Sequence, residues 1–348
     1  MTETVSDAPL LRLLLTLAAV VFIIWGIRQA QPVLVSFLLA VFLAVLATPP
    51  VLWLQRKRVP TFLAVSLVIL AMILVLLAIG ALVGTSIGSF YEALPHYQAR
   101  FQEQATAFKA FLVHRGVASP GQVFLKYVDP NAVMNLTADL LMKVGAAFSN
   151  IILILLTTTF ILLEASSFPI KLRTILGDPD QAFPRFTAFV NSMKRYMVIK
   201  TLVSLATGLL VGIWLAILQV DFPVLWGFLA FLLNYVPSIG STIAGIPAVI
   251  LAFIQHGLGK AILAAAGYMV VNLILDYGIE KRMMGRKLGL STLVVFLSLI
   301  FWGSLLGPIG AVLCIPLSLT LKFAFESRES THWLAILLGP EDVIETPV

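Results

Sequence analysis

The amino-acid sequence predicts an all-α protein that crosses a lipid bilayer several times. Of its 348 residues, 60% are hydrophobic and only 11% are charged, whereas a soluble domain has roughly 25% charged residues. The mean hydropathy is +1.01. Several nearly charge-free runs reach the roughly 18 residues that can cross a hydrocarbon core of about 30 Å. A soluble chain of this length has too little interior to bury so much apolar surface.

Full spans and two interrupted stretches together account for the apolar sequence. The full spans are predicted at residues 10–27, 33–54, 61–83, 146–163, 196–218 and 258–275. The stretches at 222–253 and 288–323 are longer than one crossing needs, and Pro and Gly interrupt each near its middle. We therefore expect two broken hairpins, and about eight transmembrane segments in all.

Basic residues predict the orientation of the chain. Arg56, Lys57 and Arg58 follow the second span, and short cytoplasmic loops carry an excess of Lys and Arg. Further cations at 185–200 and 281–287 fall on the same side. This predicts an inner-membrane protein with both termini in the cytoplasm and explains the net charge of +6 without nucleic-acid binding. No small-residue cleavage site follows the first apolar run, so we expect it to be a retained span.

The pattern divides the chain into six segments. These are 1–88 with spans 1–3, 89–145 as an extramembrane helical region, 146–195 with span 4 and a cytoplasmic linker, 196–256 with span 5 and the first hairpin, 257–325 with an inward span and the second hairpin, and 326–348 as a cytoplasmic tail. In the extramembrane region, Asp129 and Pro130 predict the start of a second helix at 131–146.

Apolar residues recur at helical spacing in the extramembrane region. They are Leu94, Tyr97, Phe101, Phe108 and Phe111. This stripe can pack on its own chain, on the membrane surface or on a neighbouring subunit, and it is too apolar to stay bare. We expect a neighbouring subunit, in a homo-oligomer for which a pentamer is one arrangement.

The two broken stretches look like two copies of one sequence motif. Each has a Pro, an Ile-Gly pair, an Ile-Pro pair and a Phe in the same order, with Ser238 inserted after the Pro in the first stretch only. These are Pro237, Gly240, Ile246-Pro247 and Phe253 in the first, and Pro308, Gly310, Ile315-Pro316 and Phe323 in the second. The predicted orientation opens the first hairpin from outside and the second from inside. The units would then be inverted repeats, which are typical of secondary transporters. Chance is the alternative, because Gly and Pro are frequent in membrane helices.

Glycines four residues apart predict faces of close contact between helices. They are Gly80, Gly84 and Gly88 in the third span, Gly208 and Gly212 in the fifth, and Gly303 and Gly307 in the second broken stretch. The sequence leaves open whether these contacts form within one chain or between subunits.

Polar residues inside the spans are the candidates for a solute site, because burying them in lipid is costly. The substrate-binding candidates flank the two breaks and follow one face of the span between them: Asn234, Pro237, Ser238, Gly240, Ser241, Thr242, Asn272, Gly307, Pro308 and Gly310. At the breaks, freed backbone groups can bind a polar solute or an ion.

Two carboxylates continue the face that Asn272 begins. Asp276 and Glu280 lie one and two turns beyond it, and they are the candidates for coupling to protons or another cation. Lys200 in the fifth span is interpreted as a side chain that snorkels to the membrane surface.

The sequence favours a protein that is not an enzyme and that holds no cofactor or metal. Its four histidines have no ligand spacing, and a single cysteine, Cys314, can form neither an intramolecular disulfide nor a cysteine metal cluster. Neither a Walker lysine loop nor a dinucleotide fingerprint occurs. The triad Gly84, Ser86 and Gly88 matches a nucleophile elbow, but that motif requires a strand before a sharp turn.

Two signatures in the second half of the chain are recognisable. They are Asn234-Tyr-Val-Pro-Ser-Ile-Gly with Ile246-Pro, and Glu280-Lys-Arg-Met-Met-Gly-Arg-Lys-Leu-Gly-Leu-Ser-Thr-Leu-Val-Val-Phe with Trp302, Leu306-Gly-Pro-Ile-Gly and Ile315-Pro-Leu. They resemble the autoinducer-2 exporter (AI-2E) family, whose layout matches along nearly the whole chain. The sequence from Ser291 onward most resembles the quorum-signal exporter branch of that family. Lys281 and Thr292 stand where many members have Pro.

The resemblance implies a secondary transporter that works on a small polar solute or a cation. Family members are described as exporters of autoinducer-2, and some are assigned sodium–proton antiport. We expect proton-driven export of autoinducer-2 or a similar small polar metabolite, with sodium (cation)/proton antiport and a non-transporting membrane scaffold as alternatives. Export suits uncharged groups such as Asn234, whereas antiport requires a carboxylate such as Asp276. The broken hairpins argue against a scaffold, because lipid does not tolerate uncovered broken backbone.

Overall fold

The computed structural model is predominantly helical in the part of the chain that it describes. It describes residues 8–114, 150–165, 182–237, 239–284, 289–327 and 329–339, together with positions 139, 142 and 171. No strand occurs among these residues. Outside them lie most of the predicted helix at 131–146, most of the linker before the fifth span, Arg286, Lys287 and the end of the tail.

The helices follow the order predicted from the apolar runs. They are α1 (Ala8–Gln29), α2 (Gln31–Arg56), α3 (Thr61–His114), α4 (Ile151–Glu164), α5 (Ala182–Ile217), α6 (Pro223–Leu233), α7 (Gly240–His256), α8 (Leu258–Asn272), a π-helix (Leu273–Glu280), α9 (Lys281–Met284), α10 (Thr292–Val312), α11 (Cys314–Glu326), a 3₁₀ turn (Glu329–Thr331) and α12 (His332–Leu338).

Five of the described helical segments are long and apolar enough to cross a membrane. They are α2, the Thr61–Ala93 part of α3, the Phe186–Ile217 part of α5, α8 with its π continuation, and α10. Shorter apolar helices are α4, α6, α7 and the Leu14–Gln29 part of α1. The prediction of an all-α, polytopic membrane protein is therefore confirmed.

The chain forms two compact units. The terminal unit comprises Met1–Leu43 and Gly289–Val348, and the central unit comprises Ala44–Leu288. The first predicted break lies in the central unit and the second in the terminal unit. The inverted relation between the two stretches stays a prediction, as does the division into six segments.

Close contact between α5 and α6 organises the central unit. Gly208 and Gly212 on α5 face Gly227 on α6, and a methyl group added at Gly227 would lie 2.6 Å from the Gly208 carbonyl oxygen. The predicted packing role of Gly208 and Gly212 is thus confirmed. In contrast, a methyl group added at Gly80 or Gly84 would have no described atom within 4 Å.

An aromatic contact joins α3 to α6 in the same core. Phe90 on α3 and Trp226 on α6 are almost fully buried. Their ring centroids lie 5.7 Å apart with the ring planes at 89°, an edge-to-face arrangement that stabilises beyond the buried area alone.

Hydrogen bonds from the Tyr97 side chain hold α3 in place beyond its apolar part. The Tyr97 hydroxyl donates a hydrogen bond of 2.6 Å to Asp221 Oδ2, and the Gln255 amide contacts both groups. Burial and the adjoining carboxylate raise the pKa of Tyr97 above its ordinary value, so the hydroxyl keeps its proton at neutral pH. Tyr97 packs within its own chain, whereas the side chains of the rest of the predicted stripe lie outside the described residues.

The first predicted break separates α6 from α7. The Ile239 amide donates to the Pro237 carbonyl at 2.8 Å, and the Gly240 amide donates to the Val236 carbonyl at 3.3 Å. A Cβ atom at Gly240 would overlap the Leu233 carbonyl oxygen. Only glycine permits this tight return, and the break predicted here is confirmed.

The second break interrupts α10 in the terminal unit. Gly307 has φ 69° and ψ −155°, a conformation that is essentially limited to glycine. A Cβ atom at Gly310 would overlap the Trp302 carbonyl oxygen. Glycine is therefore required at this position, as it is at Gly240 in the first break. The Ser318 hydroxyl links α11 to α10 by donating to Ser298 Oγ at 2.7 Å.

Replacing Gly227 with alanine is expected to destabilise the central unit. The new methyl group would lie 2.6 Å from the Gly208 carbonyl oxygen and 3.2 Å from Gly212 Cα, and side-chain rotation cannot move these backbone atoms away. We expect Gly227→Ala to lower the free energy of unfolding by about 2 kcal/mol or more, measured as a lower thermal midpoint in detergent.

Gly80→Ala is the matched control for this substitution. Its methyl group would meet no described atom within 4 Å, and alanine favours a helix over glycine. Equal thermal midpoints for the two variants would contradict the close contact of α5 and α6.

Candidate functional site

Polar side chains from α5, the α6–α7 turn, α7 and the α8–π segment lie inside the central unit. This set, called here the polar cluster, comprises Lys200, Thr201, Ser204, Asn234, Tyr235, Ser241, Asn272, Asp276 and Glu280. Each member is buried or half-buried. Hydrogen bonds and one ion pair join its elements to each other.

The ion pair in the polar cluster joins α5 to the π-helix. Lys200 Nζ donates to both carboxylate oxygens of Glu280, at 3.0 and 2.8 Å. The two side chains are only 6% and 16% exposed. The interpretation of Lys200 as a snorkelling side chain is therefore wrong, because Glu280 supplies the opposite charge inside the unit.

Two adjacent residues anchor the first break to α5. Asn234 is 2% exposed, and its amide nitrogen donates to Ser204 Oγ at 3.1 Å. The next residue, Tyr235, donates from its hydroxyl to Thr201 Oγ1 at 2.8 Å. These bonds fix the position at which α6 ends. Asn234 therefore holds the backbone of the break in place and also supplies a polar group to it.

The polar face of α8 and its π continuation is only partly satisfied. The Ser241 hydroxyl lies 3.5 Å from Asp276 Oδ2, at the outer limit of a hydrogen bond. Asp276 Oδ1 and Asn272 Oδ1 are buried and have no hydrogen-bond partner among the described residues. A buried acceptor without a partner is unfavourable, and in native proteins such atoms are few.

The backbone around these carboxylates is also unusual. Residues Leu273–Glu280 form a π-helix, which is rare, is mostly limited to single turns and is frequent at functional sites. Both Asp276 and Glu280 project from this segment. The unusual backbone and the unpartnered carboxylate oxygen therefore occur at the same place.

The remaining predicted site residues take other positions. Pro237 and Gly240 act through the backbone of the first break, and the Thr242 side chain is exposed. Ser238 lies outside the described residues. Three residues of the second break belong to the terminal unit: Gly307, Pro308 and Gly310.

Sequence reasoning missed the side of the polar cluster that α5 provides. Lys200 and Ser204 of the cluster, and Thr207 one turn further along α5, are all buried and recur at intervals of four and three residues. Residues at this spacing share one helix face, and that periodicity was the signal available for finding them.

Removing one member of the Lys200–Glu280 pair is expected to destabilise the protein strongly. Lys200→Met or Glu280→Leu leaves one buried charge without its partner, which typically costs about 3 kcal/mol or more. The double variant removes both charges and is expected to recover most of that loss. Thermal midpoints of the four proteins in detergent measure the effect.

Lys171→Met is the control for this cycle. Lys171 also pairs with a glutamate, Glu164, but the two side chains are 62% and 55% exposed, and exposed pairs contribute little. Single substitutions at Lys200 and Glu280 that are no more harmful than Lys171→Met would contradict a structural role for the buried pair.

Comparison with known proteins assigns the chain to a family. The model of the AI-2E family transporter matches residues 14–329. The chain is 39% identical to AI-2 transport protein TqsA of Escherichia coli K12, over 94% of this chain and 96% of that protein. It is 34% identical to the putative transport protein YhhT of the same organism, over 95% of each chain, and 34% identical to a putative transport protein of Haemophilus influenzae, over 94% of this chain. The chain belongs to the AI-2E family of multi-pass membrane transporters.

Proposed function

We propose that this transporter exports autoinducer-2, or a similar small polar metabolite without net charge, in exchange for protons. The observation that carries the proposal is the pair of buried acceptor oxygens without partners, on Asn272 and Asp276. A solute hydroxyl can donate to such an oxygen. The name of the 39% identical relative, an AI-2 transport protein, supports the same class of solute.

The charges of the polar cluster support a division of roles between its two carboxylates. Glu280 is paired with Lys200, so protonating Glu280 would leave a buried ammonium without its partner. Asp276 has one oxygen without a partner and can accept a proton while the ion pair stays intact. We therefore assign proton coupling to Asp276, and to Glu280 the neutralisation of Lys200.

Competition at Asp276 gives a simple route to coupling. A carboxylate oxygen that accepts a hydrogen bond from the solute loses much of that role when it is protonated, because the proton occupies a lone pair. Protons that enter from the outer side would favour release of the solute there. An inward proton gradient would then drive export, provided that the site opens to each side in turn.

Basic residues beside the spans support the location and orientation of the chain. Lys and Arg next to spans favour the cytoplasmic side, and Arg56, Lys57 and Arg58 follow α2 directly. We propose a bacterial inner-membrane location with both termini in the cytoplasm. A homo-oligomer, with a pentamer as one arrangement, stays a prediction.

Sodium–proton antiport is the second candidate function. It is favoured by the same Asp276 Oδ1, because carboxylate oxygens are ligands that hard cations prefer. In that case Asp276 would bind sodium and a proton in turn, and Asn272 would offer a second oxygen.

Replacing Asp276 with asparagine is expected to uncouple export from protons. The amide keeps the shape of the side chain but cannot carry the proton, so an imposed proton gradient should no longer accelerate autoinducer-2 movement in proteoliposomes. Solute exchange without a gradient should persist at a reduced rate. Asp139→Asn, at an exposed position, is the matched control and is expected to behave as wild type.

The same vesicles separate the two candidate functions. Sodium movement coupled to protons, abolished in Asp276→Asn, together with no autoinducer-2 movement would replace export by antiport. Export whose pH dependence is identical in wild type and Asp276→Asn would contradict the role assigned to Asp276.

A further inference from the structure

Tyr268 lies one turn before Asn272 on α8, and it too has a buried polar atom without a hydrogen-bond partner among the described residues. The tyrosine is only 4% exposed, and its hydroxyl has no hydrogen-bond partner among the described residues. Tyr268, Asn272 and Asp276 follow one another at intervals of four residues and so share one helix face. Unpartnered polar atoms therefore occur on three successive turns, over roughly 12 Å of the helix axis.

Small residues of α7 lie opposite this row. A methyl group added at Gly245 would lie 3.1 Å from the Tyr268 ring, and Ser241, one turn earlier on α7, faces Asp276. Ala244 and Ala248 on the same helix are fully buried. The side chains that α7 offers beside the polar row are therefore short, and only that of Ser241 is polar.

The hydroxyl of Tyr268 contributes nothing to the fold that a phenylalanine ring would not supply. A buried hydroxyl without a partner loses its hydrogen bonds to water and gains none in return. Natural sequences depart from full polar satisfaction mainly at functional sites. The row on α8 and its π continuation contains three unsatisfied groups, and two of those residues already belong to the proposed solute site.

We propose that Tyr268 is a further solute-contacting residue, and that the solute passes along the seam between α7 and α8. This seam is defined by Ser241, Gly245, Tyr268, Asn272 and Asp276. The inference rests on the proposed function, because it takes the solute to be the hydroxyl-bearing metabolite proposed there.

The chemistry of the row suits a solute with several hydroxyl groups. A phenol hydroxyl both donates and accepts, whereas the unpartnered oxygens of Asn272 and Asp276 can accept. One hydroxyl of the solute can leave the residue on one helix turn and bind the residue on the next turn, while the other hydroxyls of the solute stay bound. The charged groups facing the seam are Asp276 and Glu280 on the α8–π segment and Lys200 on α5, whereas α7 faces it with neutral Ser241.

Tyr268→Phe tests this inference because it removes only the hydroxyl. We expect the KM for autoinducer-2 in proteoliposomes to rise about fivefold, the loss that one hydrogen bond predicts. The thermal midpoint should stay equal or rise, since an unsatisfied polar group is removed. A role in stability alone would leave KM unchanged.

Tyr91→Phe is the matched control, because the Tyr91 hydroxyl on α3 is also buried and unpartnered. Its KM is expected to equal that of wild type. As a second variant, Gly245→Ala presses a methyl group on the Tyr268 ring and should also raise KM. Gly259→Ala, where an added methyl meets no described atom within 4 Å, should not.

The outcomes separate this inference from the proposed function. Wild-type transport with an unchanged KM in Tyr268→Phe, or with equal increases in Tyr268→Phe and Tyr91→Phe, would overturn the role of Tyr268 alone. Vesicles in which the wild type moves no autoinducer-2 would contradict the proposed function, and this inference with it.

Discussion

A lipid bilayer offers no hydrogen-bond partner to a polar group, so each polar side chain within the spans must find its partner inside the protein. The central unit meets this constraint by pairing groups across helices. Lys200 on α5 binds Glu280 on the π-helix, and Asn234 binds Ser204. Each bond fixes one element against another, so the same interactions that satisfy the polar groups also position α5, the first break and the π segment.

Where the constraint is not met, three of the four unsatisfied side-chain atoms among the described residues are grouped on one helix face, and only the Tyr91 hydroxyl lies elsewhere. Asn272 Oδ1 and Asp276 Oδ1 are buried acceptors without a described partner, and the Tyr268 hydroxyl continues the row. Scattered defects would reflect imperfect packing, whereas defects aligned on one helix face create a surface that a polar solute can satisfy. The glycines of the breaks complete this arrangement, because Gly240 lets α7 return closely enough to bring Ser241 to Asp276.

Local features of this fold were predictable from the sequence. The face shared by Asn272, Asp276 and Glu280 depends only on helical spacing, and the two breaks depend on Pro and Gly within an apolar run. Periodicity also identified Gly208 and Gly212 as a packing face. It could not identify Gly227 as the partner, because that contact is set by the way α6 folds back on α5.

The pairs that define the site depend on tertiary structure and were not predictable. Lys200 and Glu280 are far apart in the chain, and each alone looks like an ordinary charge near the end of a span. A tyrosine in an apolar helix usually lies at the membrane interface, so only its burial beside Gly245 singles out Tyr268. The π-helix likewise has no sequence signal that separates it from the α-helix that precedes it.

The central claim is that solute and proton compete for Asp276, and proton release on solute binding tests it most directly. Calorimetric titration of the purified wild type with autoinducer-2, in buffers of different ionisation enthalpy, counts the protons exchanged. The account predicts a net release of protons from the wild type as the solute binds, and none from Asp276→Asn. Binding without proton release at every pH at which the protein stays folded would contradict it.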